Sequence, residues 1–107
     1  MIQNINNVCI IGCGLIGGSI TFSLKEKGLV NNIIGIDIDE DNLQYGLEKG
    51  ILDEVYLEIN HTVEECDLII ISTPVKTTVK ILEDLAMRNL KRGCIITCWG
   101  MEKEVAI

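Results

Sequence analysis

The sequence predicts an α/β fold, a doubly wound parallel sheet with strand order 3-2-1-4-5, and three observations carry that prediction. A glycine-rich segment, Gly12-Cys13-Gly14-Leu15-Ile16-Gly17-Gly18, lies between an apolar run, Val8-Cys9-Ile10-Ile11, and a stretch with helical spacing. Short apolar runs alternate with amphipathic segments along the chain in the order β-α-β-α-β-(α)-β-α-β, and right-handed crossovers turn such an order into a parallel sheet covered by helices on both faces. Finally, 48% of the residues are hydrophobic but only 4% are aromatic, the balance expected of aliphatic strands buried on both sides.

Each element has a local reason. The first strand is expected at about Asn7 to Ile11. The first helix is expected from about Leu15 to Lys27, because Ile16, Ile20 and Leu24 recur at spacing four, and Gly28 ends it. Ile33 to Ile36 forms the second strand, with Gly35 allowing close backbone approach. Asp39 is the expected N-cap of a helix from about Glu40 to Lys49, with Leu43 and Leu47 facing the sheet and Gly50 closing it. A short edge strand is expected at Val55 to Leu57. Thr62 with Glu65 three residues on has the capping-box pattern of a short helical turn. Leu68-Ile69-Ile70-Ile71 is apolar on both faces, as a central parallel strand must be. Ser72-Thr73-Pro74-Val75 breaks that strand. A helix from Lys76 to about Asn89 follows, with Val79, Leu82, Leu85 and Ala86 on one side, and Arg92-Gly93 turns into a last strand at Cys94 to Thr97. The chain shows no internal repeat, low-complexity segment or long linker.

The strand, turn, helix, strand and acid arrangement is that of a dinucleotide-binding, Rossmann-like unit. Gly12 permits the sharp turn out of the strand, Gly14 leaves no Cβ in the way of a pyrophosphate, and Gly17 lets the helix pack closely on the sheet. With Leu15 and Ile16 these residues form the expected cofactor loop, and the helix behind it offers unpaired N–H groups and a positive dipole end to phosphates. Asp37 ends the second strand at the distance expected of the acid that bonds the ribose hydroxyls. Its charge repels a 2′-phosphate, so NAD is expected over NADP. Asp39 is a second acid nearby, but the spacing favours Asp37 and a capping role suits Asp39. Ser72, Thr73 and Pro74 end the fourth strand on its carboxyl side, the edge that lines the ligand crevice in such folds; ordinary strand termination by Pro74 is the plainer alternative.

Bulk properties narrow the function classes. At 107 residues the chain is one domain at most. A net charge of −7 without a basic run argues against nucleic acid, because nothing would neutralise a phosphate backbone. No stretch reaches the ~20 apolar residues of a membrane span, and the N-terminus lacks the charged start of a signal peptide, so a cytoplasmic location is expected. The five cysteines fit that compartment and include no CxxC pair, so no metal site is expected. Cys98 has no sequence neighbour that would lower its pKa and is read as an ordinary thiol. The single histidine, His61, is read as a solvated loop residue.

The string Gly12-Cys13-Gly14-Leu15-Ile16-Gly17-Gly18-Ser19, with Gly35-Ile36-Asp37 and Ser72-Thr73-Pro74-Val75, resembles the prephenate dehydrogenases and their arogenate-using relatives over roughly Val8 to Thr97. That resemblance implies an NAD-dependent oxidoreductase that converts prephenate to 4-hydroxyphenylpyruvate with loss of CO2, on the route to tyrosine. It also implies a helical dimerisation domain, a histidine beyond the sixth strand that polarises the substrate hydroxyl, and an arginine that holds a substrate carboxylate.

The expected organisation is an NAD(P)-binding domain at 1–97 and an atypical tail at 98–107, with the helical domain absent. The family pattern Asp-Val-Gly-Ser, a short residue and Lys is replaced by Cys98-Trp99-Gly100-Met101-Glu102-Lys103, in which only Gly100 and Lys103 match. A fragment left by a broken gene or shifted frame is therefore expected, with no catalytic residue assigned. The tail is expected to pair with nothing, so that the fifth strand becomes an edge open to self-association. The expected ligands are NAD and, through a separate helical domain, prephenate. A stand-alone NAD-binding or sensing module, or another small-acid dehydrogenase, remains the alternative.

Overall fold

A computed structural model describes residues 5–12, 23–98 and 103–106, the last four by their backbone. The strands are β1 (Asn7–Ile11), β2 (Asn32–Ile36), β3 (Glu54–Tyr56), β4 (Leu68–Ile71), β5 (Ile95–Cys98) and β6 (Lys103–Ala106). The helices are α1 (Glu40–Glu48) and α2 (Val75–Ala86), with a 3-10 helix at His61–Glu65. Residues 23–26 are also helical, and that helix ends at Gly28, whose φ of 69° suits a residue without a Cβ. Among the described residues no helix is long and apolar enough to cross a membrane.

Strands β3-β2-β1-β4-β5 run parallel in the expected order, 3-2-1-4-5. The tail departs from expectation. Lys103–Ala106 pairs antiparallel with β5, Ile95 opposite Ala106 and Cys98 opposite Lys103, so β5 is not an edge strand. A parallel strand needs a crossover of a dozen or more residues, whereas only residues 99–102 separate β5 from β6, and that length permits the antiparallel return alone.

The sheet divides two apolar layers. On one face Cys9, Ile11, Ile34, Ile36, Ile69 and Ile71 pack with Val63 of the 3-10 helix and Ile81 and Leu85 of α2. On the other, Val8, Ile10, Ile33 and Ile70 pack with Leu43 of α1, Val30 and Leu52. β4 contributes to both layers, which is why its sequence is apolar at every position.

Both helices sit rotated from their expected faces. α1 buries Leu43 and Gly46 and leaves Leu47 38% exposed. A Cβ on Gly46 would lie 2.4 Å from Leu52 Cδ1, so the helix rests on Leu52 along its glycine. α2 buries Thr78, Ile81 and Leu85, leaving Val79 43% exposed and Ala86 exposed. Its rotation follows from Thr78, whose hydroxyl donates to the Thr73 carbonyl oxygen at 3.0 Å and lies 2.7 Å from the Thr73 hydroxyl. α2 starts and ends earlier than expected, and β5 begins at Ile95, one residue later, with Cys94 buried just before it. Asn60, not Thr62, caps the 3-10 helix: its Oδ1 accepts from the Thr62 N–H at 2.9 Å.

The amino edge of the sheet is tied by carboxylates. Asp67 accepts the Asn6 and Asn7 N–H groups at 3.0 and 3.1 Å and the Lys91 amine at 2.6 Å. Burial alone would raise the Asp67 pKa, but the bonds from Lys91, Asn7 and Asn6, with the Lys91 charge, carry it below the usual carboxylate value. Asp53 ties the neighbouring strand in the same way, accepting the Ile33 N–H at 2.9 Å.

Candidate functional site

The carboxyl edge of the sheet is laced strand to strand by backbone bonds. Asp37 N–H donates to Tyr56 O at 3.2 Å, Gly12 N–H to Ile36 O at 2.8 Å, and Ser72 N–H to Ile11 O at 2.8 Å. Asp37, Gly12 and Ser72 each follow the last residue of their strand, and these bonds set them in a row across β2, β1 and β4. At the ~4.8 Å spacing of neighbouring strands, about 10 Å separates the two ends of the row.

Gly12 is fixed as glycine by two independent constraints. Its φ of 88° is left-handed. A Cβ there would also stand 2.4 Å from the Ser72 carbonyl oxygen and 2.8 Å from Thr73 Cγ2. The turn out of β1 therefore runs directly against the turn out of β4, with the Gly12 backbone packed on the Ser72 carbonyl and the Thr73 methyl. Gly14, Leu15, Ile16 and Gly17, the rest of the expected loop, lie outside the described residues, as do Cys13, Trp99 and Met101.

The row forms the floor of a cleft of about 580 Å³, within the range of small-molecule sites. Its apolar walls come from Ile36 and Ile38 on the β2 side, Leu57 and Ile59 after β3, and Ile81 on α2. Ser72, Thr73, Pro74 and Thr77 line the opposite wall. Three carboxylates, Asp37, Glu58 and Asp84, border the cleft, and the described lining contains neither Lys nor Arg.

Asp37 is half-buried and held from its own chain. Its Oδ1 accepts the Asp39 N–H at 3.0 Å and its Oδ2 accepts from Asn42 Nδ2 at 3.0 Å. Asp39 is occupied as the α1 N-cap, accepting the Asp41 N–H at 2.9 Å. Asp39 thus takes the capping role expected of it, and Asp37 faces the cleft. At the other end of the row, Pro74 occupies the N-cap position of α2 with φ −58° and ψ 153°. Because Thr78 donates to the Thr73 carbonyl, the Thr73 hydroxyl gives its proton to Thr78, so Thr73 meets the cleft as an acceptor and as shape.

Other expected features lie apart from this edge or are chemically quiet. His61 is exposed at the start of the 3-10 helix. Cys98 is buried, and burial raises its thiol pKa; burial also pushes Cys94 up to about 11. Neither is an activated nucleophile. Among the described residues no group of three or more His, Cys, Asp or Glu side chains gathers as metal ligands do. Asn42, Ile59, Thr77 and Ile81 are among the site residues that sequence reasoning missed. The last three come together only through tertiary packing. Asn42 carried a faint signal, an asparagine inside the first turn of a helix where a better helix former is usual.

Residues 20–107 match the family described as "Prephenate dehydrogenase, nucleotide-binding domain". The chain is 34% identical over 107 residues to a prephenate dehydrogenase of Bacillus subtilis (strain 168), covering 100% of this chain and 29% of that protein. It is 35% identical over 97 residues to the prephenate dehydrogenase of Lactococcus lactis subsp. cremoris (strain MG1363), covering 90% and 27%. A crystal structure of prephenate dehydrogenase from A. aeolicus, in complex with hydroxyphenyl propionate and NAD+, superposes with a TM-score of 0.79 at 31% identity. That match covers 92% of this chain and 34% of the other. The chain thus spans about three tenths of the length of these relatives.

Proposed function

The chain belongs to the prephenate dehydrogenase family as its nucleotide-binding domain, and from that premise we propose that the carboxyl-edge cleft binds NAD in preference to NADP. The observation that carries this reading is the Asp37 carboxylate, held by two hydrogen bonds at the cleft border in line with the side-chain-free turn at Gly12. A dinucleotide needs both features: a backbone that its pyrophosphate can approach, and an acceptor at the ribose diol. The residues present fit the group. Gly12, which has no room for a Cβ against the Ser72 turn, presents bare backbone at the cleft, and Gly14, Leu15, Ile16 and Gly17 continue the loop in sequence. Asp37 takes the ribose hydroxyls, Ile59 and Ile81 offer an apolar wall for the base, and the Ser72–Pro74 turn forms the side towards the nicotinamide half.

The bias against NADP follows from charge. A 2′-phosphate placed at Asp37 meets that carboxylate directly, with Glu58 also on the cleft border and Asp84 ion-paired to Arg88. At about 4 Å and an effective dielectric of 20, the pair with Asp37 costs about 4 kcal/mol before screening. NAD, when bound, supplies the hydride acceptor. This domain's role is to orient the cofactor, exclude water from the base and hold the ribose. The oxidative decarboxylation of prephenate is proposed for the longer architecture of the relatives, with this domain inactive alone. Its proposed partner is a helical domain carrying the substrate-binding groups. A stand-alone NAD-binding module is the competing reading. Ile95, on β5, is 44% exposed on the side away from the α2 layer and offers apolar contact to such a partner or to a second copy.

The test is a calorimetric titration of the 107-residue chain with NAD and then NADP, followed by addition of a helical domain taken from a relative. Saturable NAD binding with weak NADP binding supports the cofactor reading, and restored prephenate turnover on adding the helical domain supports the enzymatic one. Binding of neither dinucleotide refutes the cofactor reading.

A further inference from the structure

We propose that Asn42 is a positioning residue for cofactor selection: its side-chain amide locks the Asp37 carboxylate in the orientation from which it receives NAD and repels NADP. The inference rests on the cofactor reading above and goes beyond it by naming what makes Asp37 selective. Asn42 lies at the third position of α1, half-buried and lining the same cleft. Asparagine is a poor residue inside a helix, because its amide competes for nearby backbone groups. Here the amide reaches back five residues and donates to Asp37 Oδ2 at 3.0 Å. Asp39 N–H holds Oδ1. With a donor on each oxygen, rotation of the side chain about its Cα–Cβ bond, the motion that would carry the charge away, breaks these hydrogen bonds to a charged group. The negative charge is therefore fixed in place before ligand arrives.

A fixed charge discriminates better than a mobile one. A carboxylate free to turn swings away from an incoming phosphate, whereas one held by Asn42 stays and repels. The same restraint spares NAD the cost of ordering the side chain on binding. Asn42 touches neither the reacting atoms nor the catalytic step and acts only through Asp37.

Asn42→Leu removes the amide while keeping the same branched shape and installs a better helix former, so α1 is not placed at risk. NAD and NADP affinities are measured by calorimetry for the wild type, Asn42→Leu, Asp37→Ala and the double variant. The cost of ordering one freed side chain on binding predicts NAD binding weakened about 2- to 10-fold. NADP binding should hold or tighten, because the freed carboxylate turns from the 2′-phosphate, so the preference narrows, and in the Asp37→Ala background the Asn42 change should have no further effect on NAD. Equal weakening of both dinucleotides, an unchanged preference, or a full effect persisting without Asp37 would each overturn the proposal while leaving the cofactor reading intact. A wild type that binds neither dinucleotide overturns both.

Discussion

Replacing Gly12 with alanine tests the geometry on which the site depends. Cβ atoms essentially never approach within 3.0 Å of another group, so with 2.4 Å available the Ser72 carbonyl must retreat by at least 0.6 Å. That carbonyl belongs to the residue whose N–H bonds to Ile11 O at 2.8 Å, the last link between β1 and β4. Three costs add. An alanine held at positive φ costs about 1–2 kcal/mol. Forcing a methyl into filled space costs about 1–3 kcal/mol. Weakening the Ser72–Ile11 bond costs about 0.5–1.5 kcal/mol. The total, roughly 3–6 kcal/mol, is a large share of the ~5–15 kcal/mol that holds a domain folded. Gly93→Ala is the matched control. Gly93 has nearly the same φ, 86°, but nothing within 4 Å of its added Cβ, so it should lose only the backbone term, about 1–2 kcal/mol. Urea unfolding of both variants against wild type measures the difference. Equal losses would refute the steric argument, since they would mean that the Ser72 turn yields without cost and that Gly12 is there for its φ alone.

Three further outcomes follow from the same structure. Asp37→Ala should weaken NAD binding at least 10-fold and narrow the gap to NADP, as read by calorimetry, with little loss of Tm because the residue borders a cleft. Asp67→Asn should flatten the acid limb of stability: the folded pKa of Asp67 lies below its unfolded value, so its contribution is complete above about pH 4 and is lost as pH falls through the folded pKa. Unfolding free energies of wild type and variant should converge once pH falls below the folded pKa of Asp67 and differ by roughly 2 kcal/mol at pH 7, where the variant lacks the charged acceptor of two backbone N–H groups. Thr78→Val should cost about 1–2 kcal/mol, since it strands the Thr73 carbonyl and hydroxyl in a part-buried setting; a change below about 0.5 kcal/mol in urea unfolding would show that these bonds do not set the rotation of α2.

Much of the fold was legible because it is written locally. β1 and β4 are apolar runs bounded by polar residues and fall where the pattern puts them, and Asp39 caps α1 because aspartate bonds the free N–H groups of a helix start. Gly28 and Gly50 mark ends that demand positive φ, 69° and 70°. Helix rotation was less legible. Leu47 and Val79 fit a helical stripe as well as Gly46 and Thr78 do, but packing against Leu52 and bonding to Thr73 chose the smaller residues. β6 was missed because four residues without an apolar alternation carry no strand signal until a partner edge exists. Within the site, Asp37 was legible from spacing. Its restraint by Asn42 is local, five residues away, but only the turn into α1 brings the amide onto the carboxylate, whereas the wall built by Ile59 and Ile81 depends on contacts between segments far apart in sequence.

The antiparallel β6 has a consequence for how this sheet meets other chains. Every other neighbouring pair in the sheet is joined by a long connection, so its removal would require unwinding the domain. β6 is joined to β5 by residues 99–102 and, among the described strands, pairs with β5 alone, so the open margin of the sheet on this side is β6 and not β5. Any strand added there meets the sheet one strand beyond β5, apart from the cleft, which is lined by the turns after β1, β2, β3 and β4.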